Sequence, residues 1–263
     1  MALKPLPAQD TVPGTYRFDK NYFKSWLTDT RHLATRPFCW ERRQWLTAAG
    51  VAASGTLIYL YDDRISEWFT GHTTPQTEWI SSYLISDWGS GIYSLPLLGG
   101  IYLTGSPGSR HRQVALTGIK AFFLSAGAGY LVKLSTHRYR PHESDPPDPY
   151  RWDGPFPVTL DHLSFPSGHT TTAFAVASVL ACGYKDKTWV GITSYSVAGL
   201  VGLSRIHDGE HWASDVLAGA ALGTAIGISL CRLNIRNLEI QPQAGRYGNG
   251  VKAVFTLSPK PFR

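Results

Sequence analysis

Six apolar blocks, at roughly 45–61, 90–104, 114–132, 170–184, 189–203 and 214–231, leave this 263-residue chain few ways to fold. None shows the period-2 alternation of a half-buried strand. All are rich in Ala, Gly, Ser, Leu and Val, as where membrane helices pack backbone against backbone. Several run to about 15 residues, short of the ~20 that usually span a bilayer. Polar loops separate the blocks, so the mean hydropathy of −0.14 conceals a segregated pattern. The pattern predicts an all-α fold: a six-helix membrane bundle over residues 45–231, after a polar segment 1–44 and before a tail 232–263. A soluble bundle with buried apolar helices is the competing architecture.

Charge placement favours the membrane. With the blocks taken as spans, the side holding both termini carries 18 of the 25 Lys and Arg residues and the other side six. Lys120 lies inside the third block, near its basic end, where it could snorkel. The positive-inside rule then predicts a multi-pass protein of the cytoplasmic (inner) membrane, with termini inside and the loops after blocks three and five facing the periplasm or exterior. The net charge of +6 does not point to nucleic acid, because the excess flanks the apolar blocks and matches anionic headgroups. Tyr22–Ala34 sets Phe23, Trp26, Leu27 and Leu33 near one helical face. Two readings stay open for it: a helix lying on the membrane, or one packed on the bundle. Cys39, Cys182 and Cys231 fall on or near the predicted cytoplasmic side and are expected to be reduced, inert thiols, their spacing suiting neither zinc nor a disulfide framework. The first 30 residues hold no apolar core of the signal-peptide kind.

Three short stretches carry the chemistry: Lys133-x6-Arg140-Pro141, Pro166-Ser167-Gly168-His169 and Ser204-Arg205-x5-His211-x3-Asp215. Lysine supplies a mobile point charge and arginine a planar fork for two phosphate oxygens. Ser167 is a good helix cap, and Gly168 lets backbone N–H groups approach an anion at a helix N-terminus, with His169 in the first turn. His211 and Asp215 are expected on one face of the sixth helix, where the carboxylate fixes the imidazole tautomer and frees the other nitrogen to attack. The predicted topology delivers all three stretches to one membrane face, as transfer of a phosphoryl group to a histidine requires.

These motifs resemble those of the type 2 phosphatidic acid phosphatase superfamily, which includes lipid phosphate phosphatases, bacterial acid phosphatases and vanadium haloperoxidases. The resemblance covers residues 133–215 without a departure at any motif position. It implies that His211 is the nucleophile that becomes phosphohistidine, that Asp215 orients it and that His169 protonates the leaving oxygen. Lys133, Arg140, Ser167, Gly168 and Arg205 would hold the phosphate, with no metal or cofactor. The implied substrate is a lipid phosphate or diphosphate in the membrane: phosphatidate, phosphatidylglycerol phosphate, an isoprenyl diphosphate or a lipid A-like glycolipid. A soluble periplasmic acid phosphatase and a haloperoxidase are alternatives. A third is a zinc peptidase, since His207-Asp-Gly-Glu210-His211 matches H-x-x-E-H, although Gly209 disfavours the helix this needs. Oligomeric state is not legible. The proline-rich 142–162 segment, with Pro146-Pro147-Asp148-Pro149, is expected to be a loop on the active face, either a lid or rim over the site or a plain connector. Val251–Leu257 alternates enough for a short strand.

Overall fold

A computed structural model describes residues 17–156, 159–235, 238–245 and 248–255. Its helices are α1 (Lys20–Thr35), α2 (Arg42–Tyr59), α3 (Asp62–Thr70), α4 (Pro75–Trp79), α5 (Asp87–Ser90), α6 (Ser94–Thr104), α7 (Arg110–Thr136), α8 (Gly168–Gly183), α9 (Thr188–His207) and α10 (Ala213–Asn234). The six apolar blocks map onto α2 and α6 to α10. Strands β1 (Leu238–Gly245) and β2 (Gly248–Phe255) pair antiparallel, so the strand expected in the tail is present as half of a hairpin. Local signals explain the helix starts. Asp19 accepts from the Tyr22 N–H to cap α1, and Ser109 accepts from Arg112 to cap α7. His137, in the left-handed region at φ 43°, ends α7 and turns the chain into the next loop.

Side chains sort as they do in a lipid-facing bundle. Leu97, Leu103, Leu131, Ile192, Leu200 and Leu203 are exposed, whereas Ser125, Thr170, Thr171 and Ser178 are buried. Among the described residues α7 and α10 are long and apolar enough to cross a membrane. With 11 and 16 residues, α6 and α8 fall short of an upright crossing.

Glycines set the central contact. Gly219, Gly223 and Gly227 form a stripe at four-residue spacing on α10. A Cβ on them would lie 2.6 Å from the Ser167 carbonyl oxygen, 2.1 Å from that of Thr171 and 2.4 Å from that of Ala175. The α10 backbone thus rests directly on α8, which fixes the first turns of both helices side by side. Beneath that level, Leu98, Val114, Phe122, Val179, Ile226 and Leu230 form the apolar core that joins α6, α7, α8 and α10.

The structure corrects two expectations here. Lys120 does not snorkel: it is buried, and its Nζ donates to Asp29 Oδ2 (2.6 Å) and Ser25 Oγ (2.7 Å) of α1 and lies 3.3 Å from Asn234 Oδ1 of α10. A carboxylate carried in by α1 removes the need for the ammonium to reach water. The amphipathic helix is therefore docked on the bundle, with the Tyr22 hydroxyl donating to the Leu116 carbonyl, while Leu27 stays 78% exposed. Nor are all three thiols free. Cys182 and Cys231 form a disulfide, with Cα atoms 6.4 Å apart, and Cys39 is the free, exposed one. The 49-residue separation gave no hint of this. The pairing arises because α8 and α10 run side by side away from the motif-bearing end, carrying both sulfurs to the far end together.

The expected loop between α7 and α8 contains a three-residue 3-10 turn, Pro141–Glu143, and its described residues are tied down at several points. His137 Nδ1 lies 2.7 Å from the Gly154 carbonyl, Arg138 bridges to Trp152, and the Ser164 N–H donates to the Arg138 carbonyl.

Candidate active site

The three motif stretches meet at the end of the bundle where α7 and α9 stop and α8 and α10 begin. Lys133, in the last turn of α7, points its Nζ at the Leu163 and Ser164 carbonyls ahead of α8. A Cβ on Gly168 would sit 3.7 Å from Lys133 Cε, so this cation lies over the α8 N-terminus, where unpaired N–H groups favour an anion. Ser167 occupies the N-cap position, but its hydroxyl accepts from Thr170 Oγ1 (2.9 Å) and not from a helix N–H. Its own N–H donates to the Asp215 carbonyl (3.0 Å), which locks the first turn of α8 to that of α10.

Arg205, in the last turn of α9, donates through Nη1 to Ser86 Oγ (2.8 Å) and through Nη2 to Asp208 (2.5 Å). Its Nε is buried and has no acceptor among the described residues. A buried donor without a partner is costly unless something arrives to fill it. Arg140 pairs through Nη1 with Glu210. The segment Ser86–Gly89 forms a further wall: a Cβ on Gly89 would lie 2.6 Å from the His169 carbonyl oxygen, and Thr172 Oγ1 donates to the Gly89 carbonyl (2.6 Å).

His211 is almost fully buried, and its N–H donates to the Arg205 carbonyl (3.1 Å). It sits two residues before α10 and so does not share a helical face with Asp215. The pair approach because Asp215 is the third residue of α10 and turns back, its Oδ2 accepting from the Trp212 N–H (3.0 Å). The His211 Nδ1 to Asp215 Oδ2 distance is 3.8 Å, too long for a hydrogen bond. Ser164 bridges the gap: its Oγ donates to Asp215 Oδ2 at 2.6 Å and lies 3.4 Å from His211 Nδ1. Burial pushes the His211 imidazole down to about 3, with Lys133 and Arg140 adding to the shift and Asp215 opposing it. His169, just outside the fourth block, is lowered to about 4 by burial and then by Arg205 and Lys133. Both shifts favour the neutral form of the ring near pH 7.

The sequence reading missed the group that holds Asp215. Arg138 is fully buried; its Nη1 donates to Asp215 Oδ1 (2.5 Å) and Ser214 Oγ (2.8 Å), and its Nη2 to Asp62 Oδ2 (2.8 Å). The Tyr59, Trp152 and Trp212 rings lie 4.8–5.5 Å from its guanidinium carbon, a cation–π cage. Asp62 in turn accepts from the Ser214 N–H at 2.9 Å, in the first turn of α10. The available signal in the sequence is a second cationic residue two positions before Arg140.

The H-x-x-E-H pattern does not assemble. His207 lies 3.0 Å from Asp208 and Thr77, Glu210 is on Arg140, and His211 is beside Ser164. Gly209, at φ 66°, breaks the helix such a site needs.

Residues 115–238 match the PAP2 superfamily. A 65-residue stretch is 49% identical to lipid A 1-phosphatase of Porphyromonas gingivalis, taking in 24% of this chain and 15% of that protein. A 69-residue stretch is 41% identical to phosphatidylglycerophosphatase B of Bacillus subtilis, 23% of this chain and 34% of that one. The chain spans less than two thirds of the length of these curated relatives. The crystal structure of Aquifex aeolicus LpxE superposes with a TM-score of 0.51 at 25% identity, over 64% of this chain and 93% of that one. On these matches, residues 115–238, which carry the helices of the site, are similar to the PAP2 superfamily.

Proposed function

We propose that the chain is an integral membrane phosphatase that removes phosphate from a lipid phosphate or diphosphate through a phosphohistidine on His211. The observation that carries this reading is a buried His211 imidazole within electrostatic reach of Lys133 and Arg140, beside a group of cations in which the Arg205 Nε has no acceptor among the described residues. The two named relatives, a lipid A 1-phosphatase and a phosphatidylglycerophosphatase, both act on lipid phosphates.

Lys133, Arg140 and Arg205, with the α8 N-terminus, would neutralise the equatorial oxygens on which charge spreads during phosphoryl transfer. His211 would attack phosphorus through Nε2, while Asp215, acting through Ser164, holds Nδ1. The P–O bond to the lipid breaks as His169 gives its proton to the leaving oxygen. The substrate's negative charge supports that proton on His169 by offsetting the two cations that depress it when the site is empty. Water then attacks the phosphohistidine, His169 takes the water's proton, and inorganic phosphate leaves. No step calls on a metal. The excess of Lys and Arg on the opposite side supports a site on the outer face of a cytoplasmic membrane.

Phosphate release from detergent-dispersed phosphatidate, phosphatidylglycerol phosphate, an isoprenyl diphosphate and lipid A tests the reading. The wild type is expected to release phosphate from at least one of them in the presence of EDTA, and His211→Ala from none. An equally active His211→Ala refutes the nucleophile, and a preference for small soluble phosphomonoesters without detergent would favour the soluble acid phosphatase instead.

A further inference from the structure

Glu210 has no part in that mechanism, yet its carboxylate sits on one of the phosphate-binding cations. Its Oε2 is paired with Arg140 Nη1, and the two side chains are 35% and 28% exposed, so the pair is open to solvent and not sealed in the core. The same carboxylate acts electrostatically on Lys133, His169 and Arg205. Its backbone is fixed, because the N–H groups of both Glu210 and His211 donate to the Arg205 carbonyl at 3.1 Å. The Glu210 side chain itself is held by Arg140 alone among the contacts described. A second carboxylate near Lys133, Glu143, is engaged elsewhere: it accepts from the Arg140 backbone N–H (2.8 Å) and lies 3.1 Å from His162 Nδ1.

We infer that Glu210 is an affinity-setting residue: an internal carboxylate that occupies the Arg140 guanidinium when the site is empty and competes with phosphate for it. An incoming phosphate must displace Glu210 and then bind near a displaced carboxylate of like charge, so it is held less tightly than three cations alone would hold it. After the phosphohistidine is hydrolysed, the return of Glu210 to Arg140 helps expel inorganic phosphate. The weakening acts on bound phosphate generally, and it limits inhibition by the product. This inference rests on the reading of the pocket as a phosphate site.

The test is calorimetric binding of inorganic phosphate and orthovanadate to the full chain in detergent, which needs no turnover. Glu210→Gln keeps the side-chain shape and removes the charge. It is expected to tighten both anions about tenfold, the scale of a partly exposed ion pair plus a like-charge term. Glu143→Gln, which removes a charge near Lys133 without freeing the guanidinium, is expected to change binding less than about threefold. In an Arg140→Gln background the gain from Glu210→Gln should disappear, because the competition has lost its object. Unchanged or weaker binding by Glu210→Gln, or equal gains from the two glutamate variants, overturns the inference while leaving the phosphate site standing. Wild type that binds neither anion overturns both.

Discussion

Arg138→Met removes the buried guanidinium that joins Asp62 to Asp215 while keeping most of its apolar stem, and the structure sets a scale for the damage. Both ion pairs are fully buried, so solvent cannot replace the lost partner. Breaking a buried pair from one side costs ~3–5 kcal/mol, and this one side chain serves two acids. In a chain of this size each kcal/mol lowers the melting temperature by ~2–4 °C, so a drop of about 10 °C or more is expected from tryptophan fluorescence melts in detergent. The sign of the pH dependence also follows. Burial already holds the Asp62 carboxyl above the usual range, with Ser214 and Arg138 pulling the other way. Without Arg138 the upward shift grows. A carboxyl raised in the folded state destabilises progressively as pH climbs above its unfolded value of about 3.9. Arg138→Met should therefore lose more stability at pH 8 than at pH 5, and adding Asp62→Asn should restore part of it. A variant melting within ~2 °C of wild type at pH 8, or no rescue by Asp62→Asn, would refute the reasoning.

Ser164→Ala removes the hydroxyl between His211 and Asp215. Losing a hydrogen bond to a buried charge is worth ~1.5–3 kcal/mol, so kcat should fall about 10- to 100-fold with KM little changed; near-normal kcat would remove Ser164 from the mechanism. Lys133→Ala, Arg140→Ala and Arg205→Ala should each cut turnover by orders of magnitude while the melting curve stays cooperative, and normal turnover in any one dismisses that residue. The folded-state values of His169 and His211 lie below the unfolded value, so the unfolded chain binds more protons between them. Stability should thus be full above about pH 6.5 and decline as pH falls towards 4, and His211→Asn should flatten that decline. Thiol titration of the denatured, unreduced chain should find one cysteine, Cys39, and three after reduction; three before reduction would break the Cys182–Cys231 assignment.

What was legible in the sequence was whatever repeats locally. The apolar blocks marked the helices because a helix facing lipid or core must stay apolar over many turns, and the motif order brought Lys133, His169, Arg205 and His211 to one end. Residues that act through a partner far along the chain were not legible. Arg138 lies 76 residues from Asp62 and 77 from Asp215, and only the folded topology unites them. Ser164 carries no sign in composition or spacing of its place between an imidazole and a carboxylate. The four-residue spacing of His211 and Asp215 suggested a shared helical face, yet the two approach through an N-terminal cap that bends Asp215 backwards. Lys120 and the cysteine pair were misjudged for the same reason: a single chain position does not reveal what another helix will set beside it.

The reach of Arg138 back to Asp62 has a consequence for what counts as the self-sufficient unit. The segment that matches the family starts at residue 115, but Asp215, beside the proposed nucleophile, is joined through Arg138 to an acid at 62, and Arg205 leans on a serine at 86. A fragment trimmed to the matching boundaries would keep every signature residue and still strand a cation meant to be shared. The helices before α7 are thus structural collaborators of the reaction centre, and any transplant of this centre into another scaffold would have to bring Asp62 along.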